Sequence, residues 1–155
     1  MTPAVDAATR AGIRFRLHEY EGVDVADGDY AVAVAHALGR PAGQLYKTLV
    51  ASIGGALQVF VVPADRQLDL RAAGKRAELA GRAEAERATG YVVGGISPLG
   101  QRRRLPTTVD DSALAWETIL VSAGRRGLQI ELAPGDLVEL TGARVAPVAK
   151  VHPSE

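Results

Sequence analysis

The chain has 155 residues, 47% hydrophobic and 23% charged, with 18 Lys+Arg against 18 Asp+Glu. That length builds one domain with a real core, and the charge balance excludes a bulk positive field that could hold a long nucleic acid by counterion release. Cysteine is absent, which excludes disulfide scaffolds, thiolate nucleophiles and Cys-based metal sites together.

The opening "MTPAVDAATRAGIRF" holds no apolar run of signal-peptide length, and no window reaches the ~18 apolar residues of a membrane span. A soluble cytoplasmic protein is expected. With no linker, repeat or low-complexity segment, residues 1–155 read as a single domain. Thr2 and Pro3 cap and start a first helix that Gly12 can end, with Val5, Ala8 and Ile13 as its buried stripe. "IRFRLHEY" alternates as a strand, Ile13, Phe15, Leu17 and Glu19 facing one way and Arg14, Arg16, His18 and Tyr20 the other. "DYAVAVAHALG" predicts a helix from Asp29 to Gly39. "LYKTLVASI" and "ALQVFVVPA" flank Gly54-Gly55 as a hairpin. "LDLRAAGKRAELAG" and "AEAERATG" read as helices; "GYVVGG", "PTTVDD", "ETILVSAG" and "GLQIEL" read as short strands; "PGDLVELTGA" reads as a last helix. Helices mixed with hairpin-linked strands favour an α+β sheet over strict βαβ alternation.

Conventional catalytic motifs are missing. His18, His36 and His152 have no partner at metal-ligand spacing, no G-x-S-x-G elbow exists, and the glycines at 94 and 95 match neither phosphate-binding spacing. Ser97 or Ser122 could meet His18 only through the fold. Lys47 in "LYKTLV" is more informative, because an ammonium among strand leucines costs desolvation unless it snorkels or meets an anion. It is either an edge-strand guard against aggregation or an anion-binding lysine in a cleft. The triplet Arg102, Arg103 and Arg104 is either a solvated run or a phosphate contact.

"TPAV", "YKTL", "QLDL", "TGYVVGGISPLGQRRRLPTTVD" and "SAGRRGLQIELAPGDL" together resemble the YbaK/EbsC family of free-standing aminoacyl-tRNA deacylases, related to the editing domain of prolyl-tRNA synthetases. "GYVVGGISPLGQ" followed by "LPT" is close to the Cys-tRNA(Pro) deacylase branch. The resemblance implies a compact α+β fold with a curved, barrel-like mixed sheet flanked by helices. It implies a pocket for the 3′-terminal adenosine and its amino acid, with Gly94 and Gly95 offering main-chain N–H groups to a carbonyl oxygen and Pro98 stiffening the loop. Lys47 would anchor terminal phosphate or ribose. Tyr20, Tyr30, Thr48, Ile96, Ser97, Ser122, Gly124 and the rim acid Asp136 would complete the binding site, and Arg102, Arg103 and Arg104 would meet tRNA phosphates. Tyr30 stands where relatives often have Phe, and Ala123 where they often have Gly.

The implied reaction is trans-editing of Cys-tRNA(Pro) by self-attack of the substrate thiol, without cofactor or metal. The alternatives are water-based removal of another small amino acid such as alanine, or a non-catalytic module that binds aminoacyl-tRNA or nucleotide. The expected partners are the acceptor end of mischarged tRNA(Pro) and prolyl-tRNA synthetase, which would supply the tRNA selection that a neutral domain lacks.

Overall fold

The computed structural model describes residues 1–24 and 29–151; His152, read above as part of a polar tail, lies outside them. Thr2 Oγ1 accepts the Val5 N–H at 3.2 Å and Pro3 opens α1 (Pro3–Ala11), which Gly12 ends in the left-handed conformation. Ala4, Val5 and Ala8 form its buried stripe, while Ile13 lies beyond the helix and is half-buried. β1 (Phe15–Glu19) and α2 (Tyr30–Ala37) follow. β2 (Tyr46–Ile53) and β3 (Ala56–Pro63) form the predicted hairpin, with Ile53 opposite Ala56. Gly54 and Gly55 take φ of +60° and +94°, the paired positive values of a tight two-residue turn.

Two expectations are corrected. "LDLRAAGKRAELAG" is no single helix but β4 (Arg66–Leu68), one turn of helix α3 (Leu70–Ala73) and β5 (Ala77–Leu79). The helix stops at Gly74, φ +154°, where a Cβ would stand 2.6 Å from Ile53 Cγ2. That close approach lets Ala77–Leu79 pair with Ala51–Ile53 of β2, so a strand already in place overrides local helix propensity. "GYVVGG" is not a strand. Its Gly95 N–H donates to the Val92 carbonyl at 2.8 Å in a turn, and Tyr91 is buried with its hydroxyl donating to the Leu99 carbonyl at 2.6 Å. The apolar run anchors a loop and joins no ladder.

α4 (Arg82–Thr89), β6 (Thr107–Asp110), β7 (Ile119–Arg125), β8 (Leu128–Leu132) and α5 (Pro134–Thr141) stand where the sequence predicts them. A 3₁₀ turn at Asp111–Ala115, β9 (Arg144–Ala146) and β10 (Ala149–Val151) are additions too short to carry a readable period. The strands order as β5-β2-β3-β6-β9, β1-β8-β7 and β10-β4, with β3-β6 and β6-β9 parallel. This is an α+β fold of mixed sheets and helices. A parallel bridge between Leu45 and Leu120, both buried, joins the two larger sheets. Between them lies the main core, with Val59, Val61, Ile119, Val121, Ile130 and Leu132 from the sheets and Ala4, Ala8, Ala85 and Leu137 from the helices.

Two carboxylates fasten this assembly. Asp110 Oδ1 accepts the Val148 and Ala149 N–H groups, each at 2.9 Å, and Oδ2 accepts from the Ser112 hydroxyl, which also bonds Tyr46 Oη at 2.7 Å. β6, the entry to β10 and β2 are thereby tied through Asp110 and Ser112. On β8, Glu131 receives both Arg40 guanidinium nitrogens at 2.9 and 3.0 Å, the Thr118 hydroxyl at 2.6 Å and His18 Nε2 at 2.8 Å. Chiefly through Arg40, and against the opposing effect of burial, these donors hold the Glu131 carboxyl at about 2, below its ordinary 4.5.

A folded pKa below the unfolded one gives stability that is present above pH 4.5 and is lost as pH falls toward 2. Urea unfolding across that window is therefore expected to show the wild type losing about 3 kcal/mol more than Glu131→Gln, which has no proton to take up there.

Candidate functional site

β5 pairs only with Ala51–Ile53, and the Ala80 N–H reaches Val50 O, so the Tyr46–Leu49 stretch of β2 has β3 on one side and, among the described residues, no paired strand on the other. Beside that stretch opens a cavity of about 440 Å³, within the ~300–1,000 Å³ typical of small-molecule sites. Asp29, Tyr30, Ala31, Val32 and Val34 line it from α2 and its N-cap; Tyr46, Lys47, Thr48, Leu49 and Val50 from β2; Arg82 and Ala85 from α4. Val93, Gly94 and Ile96 come from the loop after α4, and Ser122 and Gln129 from β7 and β8.

Lys47 makes one hydrogen bond among the described residues, a long one of 3.5 Å from Nζ to the Ala64 carbonyl. Burial pulls its pKa below the ordinary lysine value, against the attraction of the Asp29 and Asp65 carboxylates. A dehydrated ammonium with donors to spare gains more from an incoming anion than a solvated one does. Tyr30 stays a neutral phenol, because burial and its 2.8 Å hydrogen bond with Tyr20 both push its pKa above the ordinary 10.0.

The glycine loop is held from both flanks. The Val93 N–H donates to Glu86 Oε2 at 2.7 Å, and Arg126 Nε donates to the Val93 carbonyl at 2.9 Å. Gly95 carries no side chain because there is no room for one. A Cβ there would lie 2.8 Å from Arg125 Cα and 2.9 Å from Arg126 N, both backbone atoms. The Gly95 N–H is spent on Val92, whereas the Gly94 N–H, at φ +92°, has no protein acceptor among the described residues.

The cavity thus gathers Tyr30, Lys47, Thr48, Gly94, Ile96 and Ser122 from the sequence-predicted set. Tyr20 stands one layer back through its bond to Tyr30. Gly95 and Ser97 lie buried under the loop, the Ser97 hydroxyl accepting the Leu99 N–H. Gly124 packs on Tyr91 and Thr2, where a Cβ would come within 2.8 Å of the Tyr91 ring. Asp136 lies in the first turn of α5, outside the cavity lining. Pro98 and Arg104 line a separate concavity with Leu140 and Thr141. The main-chain N–H groups of Arg102 and Arg103 bond the Thr89 and Ala88 carbonyls, so the triplet closes the C-terminal end of α4 while Arg82, at its other end, reaches the cavity. The considered Ser–His pairing does not form: His18 bonds Glu131, and the Ser122 hydroxyl accepts the Gly124 N–H. Among the described residues no group of three His, Cys, Asp or Glu side chains could hold a metal ion, and no helix is long and apolar enough to cross a membrane.

Asp29, Arg82 and Gln129 line the cavity without having been singled out in the sequence. Arg82 reads as one more charge on a solvated helix, and Gln129 as one polar position in an alternating strand. Gln129 is nevertheless only 4% exposed.

Residues 26–140 match the sequence profile described as "Aminoacyl-tRNA editing domain". A protein of Enterococcus faecalis (strain ATCC 700802 / V583), carrying the name Cys-tRNA(Pro)/Cys-tRNA(Cys) deacylase EbsC, is 37% identical over 137 residues, covering 84% of this chain and 83% of that protein. Among solved structures, the hypothetical protein APE2540 superposes with a TM-score of 0.84 at 28% identity, covering 96% of this chain and 99% of the other. A structure named as a trans-editing enzyme for prolyl tRNA synthetase superposes at 0.80 with 26% identity, over 97% and 99% of the two chains.

The space at Gly95 generates a contrast. Gly95→Ala forces backbone to move and is expected to cost about 1–3 kcal/mol. Gly135→Ala, in the first turn of α5 with nothing within 4 Å of the added Cβ, is expected to stabilise by about 0.4–1 kcal/mol. Denaturant unfolding of both variants measures the difference.

Proposed function

The chain belongs to the aminoacyl-tRNA editing domain family, and from that premise we propose that it is a trans-editing deacylase removing misattached cysteine from tRNA(Pro) in the 440 Å³ cavity. One observation carries the reading: a single cavity is lined by the under-solvated Lys47 and by Gly94, whose N–H has no acceptor among the described residues, and none of its described side chains forms a Ser–His nucleophile pair. An aminoacyl ester is already activated, so its cleavage asks for positioning more than for a protein nucleophile.

In the proposed reaction the sulfur of the attached cysteine, as thiolate, adds to its own carbonyl carbon. The resulting oxyanion takes a hydrogen bond from the Gly94 N–H, the geometry that stabilises developing negative charge best. Collapse breaks the ester C–O bond. The ribose oxygen leaves, takes a proton from solvent, and the amino acid departs as a cyclic thioester that water later opens. Lys47 anchors the terminal phosphate or ribose, while Tyr30, Ile96 and Ser122 bound the space left for the amino acid. A formal net charge of +0 leaves tRNA identity to be read elsewhere, and prolyl-tRNA synthetase is the partner that fits. Phosphates next to the terminal adenosine meet Arg82, on the cavity wall, and Arg126, bonded to the loop at Val93; the triplet at residues 102–104 lies at the opposite end of α4.

Single-turnover deacylation tests the chemistry. Cys-tRNA(Pro) is expected to release a thiolactone first and to clear more than a hundredfold faster than Ser-tRNA(Pro), a margin that a pocket alone does not reach between near-isosteres. Lys47→Ala is expected to fold and lose most of that rate. Equal clearance of the two substrates with free amino acid as first product sinks self-attack, and binding without ester loss sinks the enzyme reading.

Salt titration separates the cations. Gln at Arg82 is expected to raise KM and flatten the salt dependence, by about 0.7 in log–log slope for each phosphate no longer neutralised, with kcat nearly unchanged. Gln at Arg126, which also releases the Val93 carbonyl, is expected to lower kcat as well. Gln at Arg102, Arg103 and Arg104 is expected to change KM and the salt dependence less, and the opposite ranking returns the phosphate-binding role to the triplet.

A further inference from the structure

Among the described residues two buried side-chain polar atoms have no hydrogen-bond partner, Thr48 Oγ1 and Gln129 Oε1, and both residues line the same cavity. Buried polar groups in folded proteins are almost always bonded, so two exceptions on residues that line one cavity point to a ligand that completes them. The two atoms differ in what they require. A threonine hydroxyl turns to donate or accept, whereas an amide oxygen accepts only and therefore demands a donor.

Gln129 is placed with little freedom. It sits in β8, the middle strand of its sheet, directly opposite His18 on β1 and Ser122 on β7. His18 bonds Glu131, the Ser122 hydroxyl accepts the Gly124 N–H, and neither bonds Gln129 Oε1. At 4% exposure Gln129 is also more buried than its lining neighbour Ser122 at 9%.

Resting on the deacylase reading, we propose that Gln129 is a specificity-determining residue whose buried Oε1 accepts a hydrogen bond from the α-ammonium of the aminoacyl group. Depth selects the part of the substrate. The nucleotide, with its phosphates, is assigned to the cations Lys47 and Arg82, the latter exposed, and the aminoacyl group to the buried Gln129. In a small aminoacyl ester the carbonyl and ester oxygens only accept, and the one donor shared by every such group is the α-amine. A charged donor on an amide oxygen also gives a stronger bond than a neutral one. The Asp29 carboxylate lines the same cavity and offsets the second cation brought into it. The site would then favour an α-amino ester over a deaminated acyl group of the same shape.

The test compares Cys-tRNA(Pro) with 3-mercaptopropionyl-tRNA(Pro), which keeps the thiol and the ester and lacks only the amine. The wild type is expected to favour the amine-bearing substrate by roughly ten- to a hundredfold in kcat/KM, since the analogue leaves the buried acceptor unpaired. Gln129→Met, similar in length and without the acceptor, is expected to bring that ratio toward one by slowing the amine-bearing substrate. A ratio unchanged in the variant overturns the assignment while leaving the deacylase reading intact. If the wild type cleaves neither ester, the deacylase reading falls separately. A second measurement needs neither turnover nor the variant: calorimetric binding of 3′-deoxy-3′-(cysteinylamino)adenosine and its des-amino counterpart to the wild type. Tighter binding of the amine-bearing analogue by at least tenfold supports the assignment, and equal affinity overturns it.

Discussion

The approach of two backbones at Gly95 is the constraint on which the site depends. The loop after α4 lies so close to the β7–β8 turn that a single methyl group would overlap main-chain atoms of Arg125 and Arg126. Main chain cannot yield as a flexible side chain can, so this contact sets the position of Val93, Gly94 and Ile96 relative to the sheet. Glu86 and Arg126 then hold the same loop by hydrogen bonds from α4 and from the turn. A wall carried by a loop becomes as well defined as one carried by a strand, which is what a positioned N–H group requires.

The two carboxylate hubs act at a distance from this wall and steady what faces it. Asp110 reaches Tyr46 through Ser112, and Tyr46 immediately precedes Lys47 in β2. Glu131 gathers Arg40, Thr118 and His18 onto β8, two residues from Gln129. Both hubs are satisfied by several donors, which offsets the cost of removing their charge from water. The cavity shows the opposite condition. Among the described residues Lys47 is short of partners and the Gln129 and Thr48 oxygens have none, so the groups unfinished within the fold belong to residues that line this cavity. That division fits a protein that works by orienting an activated ester and needs no nucleophile of its own.

Much of the architecture was legible because local chemistry and final structure agree. Thr2 with Pro3 starts α1, Gly54-Gly55 turns the hairpin, Gly90 ends α4 and Pro134 opens α5. The misread segments are those where a long-range partner outweighs local preference. Residues 77–79 look helical and become a strand because β2 offers an open edge. "GYVVGG" has a strand's composition and becomes a loop because Tyr91 is drawn into the core. β9 and β10 are three residues each, too short for any periodicity to declare them.

The sequence by itself determined the α+β class, most element boundaries, the absence of cysteine chemistry and the oddity of a lysine among strand leucines, because each rests on composition or on neighbours a few positions away. Only the tertiary structure decided which of the marked residues meet. It put Lys47, Thr48, Gly94 and Ser122 around one cavity and committed the Gly95 N–H to Val92. It also left Asp136 and the arginine triplet outside the cavity lining and buried Gln129 within it. The reason is physical: burial and hydrogen-bond satisfaction are properties of surroundings assembled from distant segments, and no spacing along the chain encodes them.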